Sequence, residues 1–204
     1  MRDETIGAFL GQLAARVPAP GGGATAALHA AQSAALIAMV ARYSNGARYD
    51  TELMARLFTE ADGLRDEALG LAEADAAAFG AVSDAYQLPK ETNELLQART
   101  AAIAEALTGA AQPPAEVIRT AFRLIEMAGE LLPAANRNVI TDVAAAAEAA
   151  RAAAVTARVN IEVNLRGIKD AAIKAGLSAT AAVTDEITAR ADRIVAAVRA
   201  EITR

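Results

Sequence analysis

Two aspartates, a glycine turn and a set of carboxamides are the groups in this chain with chemistry to offer. Asp75 lies inside Ala72-Glu73-Ala74-Asp75-Ala76-Ala77-Ala78-Phe79. It continues a series, Leu53, Leu57, Ala61, Leu64, Ala68 and Leu71, that recurs at three- and four-residue steps. A helix with that series turns Asp75 toward the core, whereas Glu73 points elsewhere. A carboxylate on a core-facing stripe tends to a shifted pKa and suits general acid/base work. The alternative is a buried pair with an Arg or Lys. Asp142 stands at the start of a long apolar run. There it is either an N-cap or first-turn residue, or a group that holds a cationic ring.

Thr156, Asn160 and Asn164 fall at i, i+4 and i+8, one stripe on one face of a helix. Amides on a largely buried helix need partners, which a neighbouring backbone or a heterocycle's mixed donors and acceptors can supply. Pro18-Ala19-Pro20-Gly21-Gly22-Gly23 feeds the alanine-rich segment Ala24 to Val40. The prolines restrict the backbone, and the glycines let a ligand approach the main chain. No acidic residue follows in the first turn, so nothing local competes for the exposed amides. The turn reads either as an anion or ring-edge seat, or as a tight entry into a core helix. It lacks the Gly-Lys-Ser/Thr of a phosphate loop, and no apolar strand precedes it. Lys90, after Pro89, either reaches an anionic group or is solvated. His29 is more economically a core or edge residue than a catalyst.

The elements that position these groups read almost entirely as helices, punctuated by Pro and Gly. The spacing predicts helices over about 5–15, 25–44, 51–86, 92–111, 113–132 and 141–165, and a last segment opened by Asp170. Asp3 is a candidate cap for the first. Gly176 and Ser178 are candidate breaks in the last. Short connections make neighbouring helices antiparallel. The expectation is one all-α domain over residues 1–204, an up-and-down bundle of about six to eight helices.

Composition narrows the function. Hydrophobic residues are 54% and aromatics only 3%, with alanine making up much of the apolar total. Small side chains bury little area each, so stability calls for many close helix contacts or a second subunit. A formal net charge of −5 argues against nucleic acid as the main partner. With no cysteine and a single histidine, no cysteine- or histidine-built metal site is expected. No leader pattern or uninterrupted membrane span is apparent, so the expectation is a cytoplasmic protein with no membrane partner.

Taken together, these pieces resemble the formiminotransferase-cyclodeaminase/methenyltetrahydrofolate cyclohydrolase family. The resemblance starts with Thr5-Ile6, Phe9-Leu10 and the Pro-Gly-Gly-Gly turn. It continues through Asp75 to Phe79 and Ala85-Tyr86-Gln87-Leu88-Pro89-Lys90. It ends on Asn136-Arg137-Asn138-Val139-Ile140-Thr141-Asp142 and Val159-Asn160-Ile161-Glu162-Val163-Asn164-Leu165. Ala135 stands where the family usually has Gly, and Thr141 where Ser is common. The length is similar to the stand-alone members. The resemblance implies a homodimer with a tetrahydrofolate derivative as substrate and no bound cofactor or metal. The site would draw on Pro20, Gly21, Gly22, Gly23, Lys90, Asn136, Asn138, Asn160 and Asn164. Asp75 would be the acid/base, and Asp142 would orient the pterin or its cation. The expected reaction is hydrolysis of 5,10-methenyl-tetrahydrofolate to 10-formyl-tetrahydrofolate. The alternatives are deamination of the formimidoyl derivative and, in another class, a non-catalytic helical scaffold.

Overall fold

A computed structural model describes residues 3–203, and among them there are seven α-helices, one 3₁₀ turn and no strand. The helices are α1 (Ile6–Leu13), α2 (Gly22–Tyr43), α3 (Thr51–Gln87), α4 (Asn93–Ala110), α5 (Gln112–Ala134), α6 (Ile140–Leu165) and α7 (Ala171–Ile202). The 3₁₀ turn, Arg137–Val139, leads into α6. The chain is therefore all-α, as its helical periodicity predicts.

Local side chains set most of the boundaries. Asp50, Thr92 and Asp170 each accept a backbone N–H from the first turn of the helix they precede. Pro113 and Pro114 occupy the opening positions of α5, where a missing N–H costs nothing. Gly46 adopts φ 94° just beyond α2, a conformation that favours glycine. Three expectations are corrected. Thr5, not Asp3, caps α1, accepting from Ala8 N at 3.1 Å. Pro133 lies inside the last turn of α5, which runs to Ala134. Neither Gly176 nor Ser178 divides α7, which is continuous. Helical pairing of Leu177, Ala181, Thr184 and Ile187 with the core outweighs the local glycine penalty of about 1 kcal/mol.

The core is built from methyl-sized contacts. Ala26, Ala27, Ala30 and Ala34 of α2 and Ala146, Ala150, Ala153 and Ala157 of α6 are fully buried. The seam between the two helices also carries Ser33 Oγ, which donates to the Ala146 carbonyl at 2.8 Å. By length and apolarity α2 has what a bilayer span requires. Its buried face instead packs against α3, α5 and α6. Larger side chains, Leu57, Ile118, Leu124, Ile125, Leu131 and Ile161, fill the rest.

The second half of α3 and all of α4 are peripheral. Beyond Ala72 only Ala85 of α3 is buried, and α4 has no buried residue. Leu107 of α4 packs on Gly167, where an added Cβ would overlap the leucine. On the opposite surface Arg123 of α5 bonds Glu60 of α3 at 2.8 Å through Nη2. That contact lowers the Glu60 pKa, and the pair belongs to a network with Arg56, Glu126, Glu130 and Arg190.

Candidate functional site

Where the start of α2 meets the middle of α3 and the end of α6, the bundle leaves a cavity of about 300 Å³. Pro18, Ala19 and the three glycines form one wall, Asp75 with Phe79 and Val82 a second, and Asn160, Val163 and Asn164 a third. Each wall follows from local folding. The turn holds a cis Ala19–Pro20 peptide, and Gly21 is the extended residue before α2. Asp75, Phe79 and Val82 share a face of α3 at i, i+4 and i+7.

The glycine turn works differently from the sequence-based expectation. α2 begins at Gly22 rather than Thr25, and its first turn is already occupied. The backbone N–H of Ala24 donates to the Asp75 carboxylate, an anionic cap supplied by another helix. Gly23 makes this possible, because a Cβ there would overlap the Asp75 carboxyl group. Its lack of a side chain admits the carboxylate. Burial pushes the Asp75 pKa up, and the Ala24 hydrogen bond pulls it partly back. The result is a carboxyl group that keeps its proton to higher pH than an ordinary aspartate, as a general acid/base can use.

The two asparagines are not equivalent. Asn164 Nδ2 donates to the Asn160 carbonyl at 2.9 Å and to Ala110 O, at the end of α4, at 3.3 Å. It ties α4 to α6. Asn160 Nδ2 is buried with no partner, and the Asn160 amide lies beside Gly22 at the cavity wall. A buried amide donor without an acceptor is costly, and a ligand acceptor in the cavity would relieve that cost.

Thus Gly21, Gly22, Gly23, Asp75, Asn160 and Asn164 come together as a site, and five other anticipated residues do not. Pro20 is buried behind the turn and does not line the cavity. Lys90 is exposed in the α3–α4 connection, and its backbone N–H donates to Glu91 Oε2 at 2.9 Å. It lies three residues past the end of α3, which runs about 18 Å beyond Asp75. Asn136 closes the opposite end of α2, donating to Tyr43 O at 2.9 Å through Nδ2 and accepting Asn138 N at 3.1 Å. Asn136 and Asn138 line a second cavity of about 440 Å³ with Arg48, Tyr49 and Arg137. Asp142 is a half-buried residue of the first turn of α6 and lines neither cavity. His29 is also absent from both walls. Phe79, Val82, Ala110 and Val163 line the site without having been anticipated. The helical offset of Phe79 and Val82 from Asp75 was the available signal.

Comparisons with known proteins identify the family. The family model described as formiminotransferase-cyclodeaminase matches residues 5–183. The methenyltetrahydrofolate cyclohydrolase of Methylorubrum extorquens is 37% identical over 173 residues, covering 83% of each chain. The formimidoyltransferase-cyclodeaminase of Rattus norvegicus is 34% identical over 84% of this chain, which spans 32% of that longer protein. The crystal structure of formiminotetrahydrofolate cyclodeaminase from Thermotoga maritima superposes with a TM-score of 0.88 at 25% identity, covering 98% of both chains. The chain belongs to the formiminotransferase-cyclodeaminase family.

Proposed function

We propose that the protein is a methenyltetrahydrofolate cyclohydrolase acting as a homodimer, with no resident metal or cofactor. The observation that carries this reading is the Asp75 carboxyl group. It is partly buried, raised in pKa and fixed against the start of α2 in a cavity of about 300 Å³. The substrate is a cation at the one carbon that bridges the two folate nitrogens. A carboxylate beside that carbon stabilises the charge and takes a proton from the water that adds to it. The tetrahedral adduct then opens when the protonated Asp75 returns the proton to the departing ring nitrogen. The products are 10-formyl-tetrahydrofolate and one released proton. Asn160 offers its unpartnered Nδ2 to an acceptor on the ring edge.

Similarity over most of both chains to a protein named as the cyclohydrolase supports this direction. The likeness to cyclodeaminases supports the second reading, in which the same carboxyl group assists loss of ammonia from the formimidoyl derivative. Near-UV absorbance of methenyl-tetrahydrofolate, assayed beside ammonia release from formimidoyl-tetrahydrofolate, decides between them. The expected result is absorbance loss that survives prolonged chelation. Turnover abolished by chelation and restored by zinc would overturn the carboxylate mechanism. We place the enzyme in the cytoplasm.

The different partners of the two asparagines predict different variants. Asn160→Ala should raise KM by the equivalent of about 1–3 kcal/mol with little change in melting temperature. Asn164→Ala should lower the melting temperature, because the Ala110 carbonyl loses its donor. Steady-state kinetics and thermal melts on the same samples check both. Equal KM effects without loss of stability would show that Asn164 also binds substrate.

A further inference from the structure

Asp75 has no basic partner. Its carboxylate accepts the Ala24 N–H, and among the described residues no lysine or arginine pairs with it or lines the cavity. The start of α2 offsets roughly half of its charge, so an ionised Asp75 leaves the cavity negative by about half a unit. A partly buried carboxylate without a counter-ion is costly, and a cationic ligand would supply one. Phe79 lies one turn beyond Asp75 on the same face of α3 and lines the same wall. It is 50% exposed. Elsewhere an arginine guanidinium sits over the rings of Phe58, Phe122, Tyr49 and Tyr86, 4.8 to 5.7 Å from their centres. Among the described residues no cation covers Phe79. An uncompensated carboxylate and an uncovered ring thus border one cavity, with Val163 and the two asparagines on another wall.

We infer that Asp75 and Phe79 form a subsite for a cationic heteroaromatic ring, and that Phe79 makes the cavity select its ligand by ring charge. The carboxylate supplies the counter-ion, and the negative face of the phenyl ring attracts the same charge from a second direction. A neutral ring of the same shape keeps the apolar contact with Phe79 and loses both attractions. The unpartnered Asn160 Nδ2 needs an acceptor, so the favoured ligand is positive on one edge and carries a carbonyl or ring-nitrogen acceptor on another.

For the enzyme's own substrate this assignment rests on the proposed folate chemistry. The methenyl derivative is a cation whose charge is shared by the bridging carbon and its two nitrogens. Hydrolysis forms a bond from water oxygen to that carbon, breaks its bond to the ring nitrogen and releases one proton. The formyl product is then neutral at the ring. The step that makes the product therefore removes the charge that held the substrate, and the site clears itself. Loss of ammonia from the protonated formimidoyl derivative instead leaves the methenyl cation in place, so the subsite would hold that product.

Phe79→Leu keeps an apolar side chain and removes the ring face, and Phe79→Tyr keeps the face. Each is compared with wild type for KM on methenyl-tetrahydrofolate and for competitive inhibition by 5-formyl-tetrahydrofolate, whose ring is neutral. Phe79→Leu should raise KM roughly 3- to 30-fold, with the loss in KM and not in kcat, because the ring holds the ground-state cation. Its inhibition constant for the neutral folate should change by less than about twofold, and Phe79→Tyr should keep wild-type discrimination. Equal losses for both folates would make Phe79 an apolar shelf and overturn the proposal. So would an unchanged KM in Phe79→Leu, or a Phe79→Tyr protein that behaves like Phe79→Leu. A second arm needs no folate: NMR titration with N-methylquinolinium and, at alkaline pH, with uncharged 4-methylquinoline. Wild type should bind the cation more tightly, and Phe79→Leu should lose that preference. No preference in wild type would overturn the subsite even if methenyl-tetrahydrofolate is hydrolysed. A preference for the cation in a protein inactive on both folates would refute the folate reading and leave the subsite standing.

Discussion

Asp75→Asn should lower kcat by about 10²–10⁴ while the protein stays folded and still binds folate. The substitution keeps the size of the side chain and an oxygen that accepts from Ala24 N–H, but removes the group that exchanges the proton. The wild-type rate should fall on the acid side as Asp75 protonates, at a pH above the ordinary aspartate value, because burial raises this group. The variant should lack that limb. Stability moves the other way. The folded protein binds the Asp75 proton more tightly than the unfolded chain does, so the cost of burying the charge is absent below the ordinary carboxylate pKa. That cost is fully present once pH exceeds the raised value. At neutral pH the variant should therefore melt no lower than wild type, and somewhat higher where the burial cost dominates. Turnover, a pH–rate profile and a melting curve on one preparation are the measurements. A folded variant with near-wild-type kcat removes Asp75 from the proton transfer.

Gly23→Ala should cost roughly 10² or more in kcat with a smaller change in KM. The new Cβ would occupy the position of the Asp75 carboxyl group. That group is the end of a short side chain on the peripheral half of α3, so it can turn away and the fold can persist. A displaced acid/base is out of register with its substrate, and a misplacement of about 1 Å is enough for a loss of this size. The double variant Gly23→Ala/Asp75→Asn should be little worse than Asp75→Asn alone, since both act on the same proton transfer. Additive losses would mean that Gly23 contributes separately, as a backbone contact to the ligand. Wild-type kcat in Gly23→Ala would mean that the carboxyl group works equally well from another position.

These two residues also show what the sequence carries and where it stops. Asp75 was legible because a carboxylate in register with Leu53, Leu57 and Ala61 has to face the interior. Helix starts at Thr51, Asn93 and Ala171 were legible because their caps are adjacent in the chain. The start of α2 was not, because its cap is Asp75, far away in sequence, and glycines without a local cap read as loop. The role of Gly23 was unreadable for the same reason. Asn136, Asn138 and Asp142 form a recognisable motif, but a motif does not say which end of a bundle it occupies. That depends on the direction of α6 against α2. Lys90 shares that fate, because the reach of α3 past the core depends on how little covers its second half.

The alanine seam between α2 and α6 has a mechanical consequence. An alanine side chain has no rotamers, so a disturbed seam cannot absorb strain by turning a side chain. Its alanines are also fully buried, and overpacking a buried contact with an added methylene is destabilising. What remains is displacement of α6 as a stiff rod. A bulky residue at Ala150, which touches neither cavity, would shift Asn160 at one end of the rod and Asp142 at the other in the same movement. Defects in the seam should then register as activity losses at a distance, with the intervening rod unbent.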